Sequence, residues 1–262
     1  MIKIGFIGCG NMGGALAAAA AKYKDAEIRL FDKDEDKAKA LAERIGGIVC
    51  DIDGVCACEL VFLGVKPNII PIVADEIAKK VAASGATVIS MAAGISLAKL
   101  AVMLGDLPII RIMPNTPAEV GYGMILYTAN EKGAGTVPLF LESMAAAGKF
   151  DAINERLIDA ASAISGCGPA FVYMFIEALA DGGVKCGLPR DKAQKFAAEM
   201  LLGAAKLCLE SGKHPGELKD AVCSPGGSTI AGVAALEDGA FRASVMDAVE
   251  ASYIRTKELS GK

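Results

Sequence analysis

The chain has a single histidine, His214, no tryptophan, and only 5% aromatic residues. None of its eight cysteines (Cys9, Cys50, Cys56, Cys58, Cys167, Cys186, Cys208, Cys223) forms a Cys-x-x-Cys pair. With one imidazole and no paired thiols, no metal site is expected. There is no block of basic residues and the formal net charge is −4, which argues against nucleic acid as a partner. The sequence is 53% hydrophobic, yet no apolar run reaches the roughly 18 residues of a membrane helix, so no membrane span is expected. The N-terminus is too weakly basic and too glycine-rich for a signal peptide, and its apolar start reads as a strand. Scattered cysteines of this kind are usually small buried hydrophobes in a reducing compartment, which points to the cytoplasm. Only Cys56-x-Cys58 has the spacing of a redox pair, and buried thiols are the favoured reading there too.

What is present starts at residue 2. Ile2 to Ile7 has the pattern of a buried strand. It turns on Gly8-x-Gly10-x-x-Gly13 and runs into Ala15 to Ala21, a strong helix former. Strand, glycine turn and helix together predict a dinucleotide site. Gly8 permits the tight turn, Gly10 lets a pyrophosphate approach the backbone, and Gly13 lets helix and strand pack closely. The anion would rest on the unpaired N–H groups at the positive end of the helix. Ile7, Gly8, Cys9, Gly10, Asn11 and Met12 are therefore cofactor-binding candidates. A second strand, Glu27 to Phe31, stops at Asp32, about 20 residues beyond the last glycine. A Rossmann unit places there the carboxylate that binds the adenine ribose. Asp32 would serve equally as N-cap of a helix over Lys33 to Ile45. Asp32 and Lys33 join the candidate list.

Further apolar runs follow at Leu60–Val65, Thr87–Met91 and Ile109–Met113, each separated by helical sequence. Continuous apolar runs mark parallel strands buried on both faces. The alternation predicts an α/β fold with a doubly wound parallel sheet. Ligands bind such sheets at the carboxyl ends of the strands. That singles out Gly64-Val65-Lys66, Ala92-Ala93 and Asn115 as further cofactor contacts, although glycine, proline and asparagine are also ordinary loop residues. Lys66 reads equally as an anion contact or a solvated lysine. Gly121–Tyr127 and Lys149–Ile153 read as further strands, with a helix over Thr136–Ala147 between them.

From Glu155 the strand signals vanish. Helices are predicted at 155–164, 168–186, 190–211, 216–222, 228–236 and 240–259. The expected division is a Rossmann domain over residues 1–160 and an all-α domain over 161–262. Phe171 to Ile176 and much of Phe196 to Leu209 are apolar all round, and such helices must be buried on every side. About a hundred residues cannot enclose them unaided, so a homodimer at least is expected. Two glycine–proline stretches interrupt the helices, Ser165 to Ala170 and Ser224 to Thr229. The second opens a helix with a run of backbone N–H groups and two hydroxyls. It reads either as a carboxylate cradle of main chain or as a helix-breaking loop with a serine N-cap.

Together these stretches resemble the 1-pyrroline-5-carboxylate reductase family. The matches are Gly5-Phe6-Ile7-Gly8-x-Gly10-Asn11-Met12, Gly64-Val65-Lys66-Pro67, Arg111-x-Met113-Pro114-Asn115-Thr116-Pro117 and Ser165-Gly166-x-Gly168-Pro169-Ala170. They continue with Ala180-Asp181-Gly182-Gly183-Val184, Gly187-Leu188-Pro189-Arg190, His214-Pro215-Gly216-x-Leu218-Lys219-Asp220 and Ser224-Pro225-Gly226-Gly227-x-Thr229. They span nearly the whole chain. The resemblance implies a Rossmann domain followed by a helical domain that dimerises and often builds larger rings. It implies hydride transfer from NAD(P)H to the C=N bond of 1-pyrroline-5-carboxylate, the last step of proline biosynthesis. By resemblance the substrate carboxylate sits on the backbone amides of Gly226, Gly227, Ser228 and Thr229, and the Thr229 hydroxyl, the expected catalytic group, reaches the ring nitrogen. Family members often have Asn where this chain has Ala221.

The family mostly uses NADPH. Asp32, Asp34, Glu35 and Asp36 cluster here with only Lys33 and Lys37 among them, and a carboxylate facing the ribose repels a 2′-phosphate, so the residues lean towards NADH. A 3-hydroxyacid dehydrogenase of similar plan is one rival reading. It is expected to place a lysine early in the helical domain, where this chain has Gly168 to Ile176 without one. A non-catalytic NAD(H)-binding redox sensor is the other, and the complete Ser224–Thr229 loop argues against it.

Overall fold

The computed structural model describes residues 1–259. Two compact units appear: Met1–Cys167 together with the chain's end from Ser252, and Gly168–Ala251.

The first unit runs β1 (Ile2–Ile7), α1 (Asn11–Ala20), β2 (Ala26–Phe31), α2 (Glu35–Ile45), β3 (Ile48–Val49), α3 (Ile52–Cys56), β4 (Leu60–Leu63), α4 (Ile70–Ser84) and β5 (Thr87–Ser90). It continues with α5 (Leu97–Leu104), β6 (Ile109–Met113), β7 (Gly123–Ala129), α6 (Val137–Ser143), β8 (Gly148–Ala152) and α7 (Ile158–Ser165). The eight strands lie in the order β3-β2-β1-β4-β5-β6-β7-β8. The order reverses between β1 and β4, which is where such a sheet opens a crevice at its carboxyl edge.

Two strands depart from the parallel sheet expected: β7 runs antiparallel to β6, and β8, parallel to β7, shares its reversed direction. A parallel return needs a crossover of a dozen or more residues. Residues 114–122 are too few and form only a short 3₁₀ turn, Thr116–Val120. The longer connection through α6 lets β8 return parallel to β7.

Side-chain alternation along the strands fills two layers. Phe6 of β1 and Phe62 of β4 point to one face and stack at 4.5 Å, over a core that includes Leu16, Leu30 and Phe140. Ile7, Val61 and Leu63 point to the other, against Val73, Ile77 and Val81 of α4. The helical spacing of those α4 residues is what makes its inner face apolar.

Relative to a domain boundary at residue 160, α7 groups whole with the sheet unit. The cause is Arg111, buried in β6. Its guanidinium meets Glu155 Oε1 at 3.1 Å and Asp159 Oδ1 at 3.2 Å. Glu155 also accepts from the Leu97 N–H at 2.6 Å. A charge inside an apolar strand needs such partners, and here they pin the start of α7. The helical stretch Glu155–Lys185 is long and apolar enough, at mean hydropathy 1.5, to cross a membrane. It is not one free span: its first part is ion-paired to the sheet, and a turn at Gly166 and Cys167 breaks it.

The second unit is helical: α8 (Gly168–Lys185), α9 (Arg190–Ser211), α10 (Pro215–Ala221), α11 (Ser228–Asp238) and the first half of α12 (Phe241–Leu259). α8 and α9 pack on one another, with Gly183 set close to Ala193 and Leu188. Only Ala180, Ala193 and Ala197 are buried among its described residues. Phe171, Met174, Phe175, Leu236, Phe241 and Val245 line an open apolar groove, with the Phe175 and Phe241 rings 5.6 Å apart. The apolar-all-round helices are thus left uncovered by their own chain.

Candidate dinucleotide and substrate sites

The first glycine turn sits at the sheet's reversal point. The Gly8 N–H donates to Phe31 O at 2.8 Å, and the Gly64 N–H donates to Ile7 O at 2.8 Å. The ends of β1, β2 and β4 therefore meet here. Gly8 has φ +101°, a conformation that favours glycine. A β-carbon on Gly13 would lie 2.1 Å from Gly8 O, and one on Gly64 would lie 2.7 Å from the same oxygen. Those two glycines are needed for helix and strand ends to touch. Gly10 is the opposite case, with nothing within 4 Å of a β-carbon there. Gly10 is also the N-cap of α1 and supplies no side-chain cap. The first N–H groups of α1 thus face open space, and a backbone turn of this shape fits a pyrophosphate.

Ile7, Gly8, Cys9, Gly10, Asn11 and Met12 form this turn, and Gly64 and Val65 abut it. A cleft of about 370 Å³ runs alongside, lined by Cys9, Gly10, Asn11, Lys37, Arg44 and Glu119 together with nearby residues of α1 and α2. Arg44 and Glu119 carried no sequence signal, because nothing in their spacing places them beside the turn. Asp32 lies directly after β2. Its Oδ2 accepts from the Cys9 N–H at 2.7 Å and its Oδ1 from the Asp34 N–H at 2.9 Å. It is not the cap of α2, which starts two residues later than expected, with Asp34 at the N-cap position. Lys33 is exposed. Lys37 pairs with Asp34 at 3.1 Å and Lys39 with Glu35 at 2.9 Å. Desolvation, and secondly the Asp32 charge, push the Cys9 thiol up to about 12. Cys56 and Cys58 are buried free thiols pushed up to about 11 and about 12 by desolvation, so neither presents a reactive thiolate.

The other strand-end residues lie along the same edge. Lys66 and Ala93 are exposed and Ala92 is buried. Asn115 is buried and engaged within the fold. Its Oδ1 accepts from the Met124 N–H at 3.0 Å, and its Nδ2 donates to Ser165 O at 2.9 Å. The side chain ties the loop after β6 to β7 and to the end of α7.

The second turn belongs to the helical unit. The Gly227 N–H donates to Ser224 O at 3.0 Å, and Gly226 takes φ +67°. Gly227, not a serine, is the N-cap of α11, and no side chain caps it. That removes the serine-cap reading and leaves the first N–H groups of α11 open. Ser228 and Thr229 follow on the exposed first turn of the helix. His214 is explained locally: it is the N-cap of α10, and its Nδ1 accepts from the Gly216 N–H at 3.1 Å. Ala221 is the last residue of α10 and is exposed.

Two open helix N-termini, each fed by a glycine turn and each without a basic side chain in the turn, can hold two anions. The comparisons with known proteins bear on which. The family model for pyrroline-5-carboxylate reductase dimerisation matches residues 155–259. The Escherichia coli pyrroline-5-carboxylate reductase is 41% identical over 98% of both chains. The chain belongs to the pyrroline-5-carboxylate reductase family. The Pisum sativum pyrroline-5-carboxylate reductase is 40% identical, covering 98% of this chain and 96% of its own. The solved Plasmodium falciparum pyrroline carboxylate reductase with NADP bound superposes at TM-score 0.89, with 32% identity over 99% of this chain and 98% of its own. Residues 3–94 match a model described as NADP oxidoreductase, coenzyme F420-dependent. Within the pyrroline-5-carboxylate reductase fold, the dimerisation model begins at Glu155, the residue that Arg111 holds against the sheet.

Proposed function

We propose that this protein is a cytoplasmic NAD(P)H-dependent pyrroline-5-carboxylate reductase that forms L-proline. The observation that carries the reading is the uncapped start of α11 at Ser224–Thr229, in a chain whose family membership extends over its full length. The cofactor pyrophosphate rests on the turn from Ile7 to Met12, with Asp32, Lys33, Gly64, Val65, Lys66, Ala92 and Ala93 bordering it. Asn115 contributes by fixing its loop. The substrate carboxylate rests in the turn from Gly226 to Thr229, on the open N–H groups at the start of α11 from Ser228 and Thr229, where aligned peptide dipoles favour negative charge. The Gly227 N–H is held by Ser224 O and shapes the turn. When bound, NAD(P)H supplies the hydride for the C=N carbon. A protonated imine already carries its positive charge, so the site needs orientation more than a strong acid. The Thr229 hydroxyl, which has no partner among the described residues, orients the ring nitrogen.

The active assembly is a homodimer formed through the uncovered faces of α8 to α12, extended into a ring of dimers. Assays of NADH and NADPH oxidation with pyrroline-5-carboxylate test the reading. Turnover with this substrate and none with 3-hydroxyacids is expected. Binding of either cofactor without turnover would overturn it in favour of a sensor. Against a 3-hydroxyacid dehydrogenase stands α8, which has no lysine before Lys185 at its end.

A further inference from the structure

We propose that Asp32 is a positioning residue of the cofactor turn and supports NADH and NADPH equally, rather than selecting NADH through the ribose. Both carboxylate oxygens already hold backbone. Oδ2 accepts from the Cys9 N–H at 2.7 Å and Oδ1 from the Asp34 N–H at 2.9 Å. Bonds of this charge-assisted kind are about twice as strong as neutral ones. The end of β2 thus stitches down two successive turn amides, Gly8 through Phe31 O and Cys9 through Asp32.

The two fastenings do different work. Gly8 is also wedged against Gly64 and Val65, which restrict it from the other side. For Cys9 the other recorded fastening is its thiol, 3.8 Å from Phe31 O, too long to rival a charged acceptor. The orientation of the Gly8–Cys9 peptide therefore depends on Asp32. That peptide aims the following open N–H groups of Asn11, Met12 and Gly13 at the pyrophosphate, which both cofactors share.

The acidic run after β2 is also less repulsive than its composition suggests. Asp34 is paired with Lys37 and Glu35 with Lys39. A carboxylate turned to the backbone, followed by neighbours of which Asp34 and Glu35 are paired and Asp36 is not, discriminates less against a 2′-phosphate than four free carboxylates would.

The inference rests on the reading of this turn as a dinucleotide site. Calorimetric titration of NADH and NADPH into the full-length protein tests both, using the wild type, Asp32→Ala and Asp32→Asn. Asp32→Ala is expected to weaken both cofactors by about tenfold, the effect of losing a charge-assisted bond. The two losses should agree within about threefold. Asp32→Asn keeps an acceptor for Cys9 and should recover most of the binding of both. It also serves as the test if the alanine variant does not fold. Loss of NADH alone, with NADPH unchanged or tighter in either variant, would overturn the proposal, as would unchanged binding of both in Asp32→Ala. A wild type that binds neither cofactor would overturn the dinucleotide reading and this inference with it.

Discussion

The sheet unit and the helical unit come from similarly apolar sequence but treat it differently. The sheet unit buries its central strands on both faces, with Phe6 and Phe62 enclosed on one and Val61 and Leu63 on the other. In the helical unit only three alanines are buried, while Met174, Phe196, Leu209 and Met246 stand largely exposed. The first is a closed domain and the second presents the surface of an interface. The two glycine turns repeat the contrast. A β-carbon at Gly8 would meet the Gly64 backbone at 2.8 Å, whereas nothing lies within 4 Å of one at Gly226. The same helix-terminus chemistry is rigid in one place and open in the other.

The largest expected effect sharpens the contrast between the units. Val245→Asp puts a carboxylate in the apolar groove of α8, α11 and α12. An unpaired buried charge costs about 4 kcal/mol, roughly a thousandfold in dimer Kd. Sedimentation should then show a mass near 26.9 kDa, with cofactor binding retained by the sheet unit. An unchanged oligomer mass would break the comparison.

Next comes the closed turn. Gly13→Ala sets a methyl 2.1 Å from Gly8 O, where only backbone could move. About 3 kcal/mol of overpacking, or about a hundredfold in cofactor Kd, is expected. Gly226→Ala in the open turn meets only the penalty of its left-handed φ, about 1–2 kcal/mol. It should raise the substrate KM about tenfold and leave cofactor Kd alone. Equal effects at the two glycines would remove the distinction between them.

Thr229→Ala should lower kcat by one to two decades, roughly 1–3 kcal/mol, with the fold intact because the side chain is exposed. Steady-state kinetics with saturating cofactor measures it. An unchanged kcat would refute the orienting role and leave the second turn as a carboxylate holder alone.

Much of this was legible in the sequence because it depends on local pattern. The glycine spacing marked the first turn, since Gly8 and Gly13 answer close approaches of neighbouring backbone and Gly10 leaves the space open. The apolar runs gave β1, β2 and β4 to β6. The helices from α8 to α12 followed from proline starts and glycine stops. The charge of Arg111 within an otherwise apolar strand was itself a signal, since a buried guanidinium requires partners. Its partners, Glu155 and Asp159, lie more than forty residues away and no local pattern names them. Asp32 was assigned by spacing to the ribose, and spacing says nothing about which way a carboxylate turns. Asn115 was found by its position at a strand end, but its contacts with Met124 and Ser165 come from chain folding back twice.

The sequence by itself determined where helices and strands form, where two open helix starts arise, and that the helical half has more apolar surface than its own chain can bury. These follow from residue type and period, which act over a few positions. Tertiary structure alone decided the antiparallel β7, the attachment of α7 to the sheet through Arg111, and the use of Asp32 as a fastening for Cys9. The last two depend on which distant backbone amide or charge arrives within about 3 Å, and the first on a connection too short for a parallel crossover; none is set by local propensity.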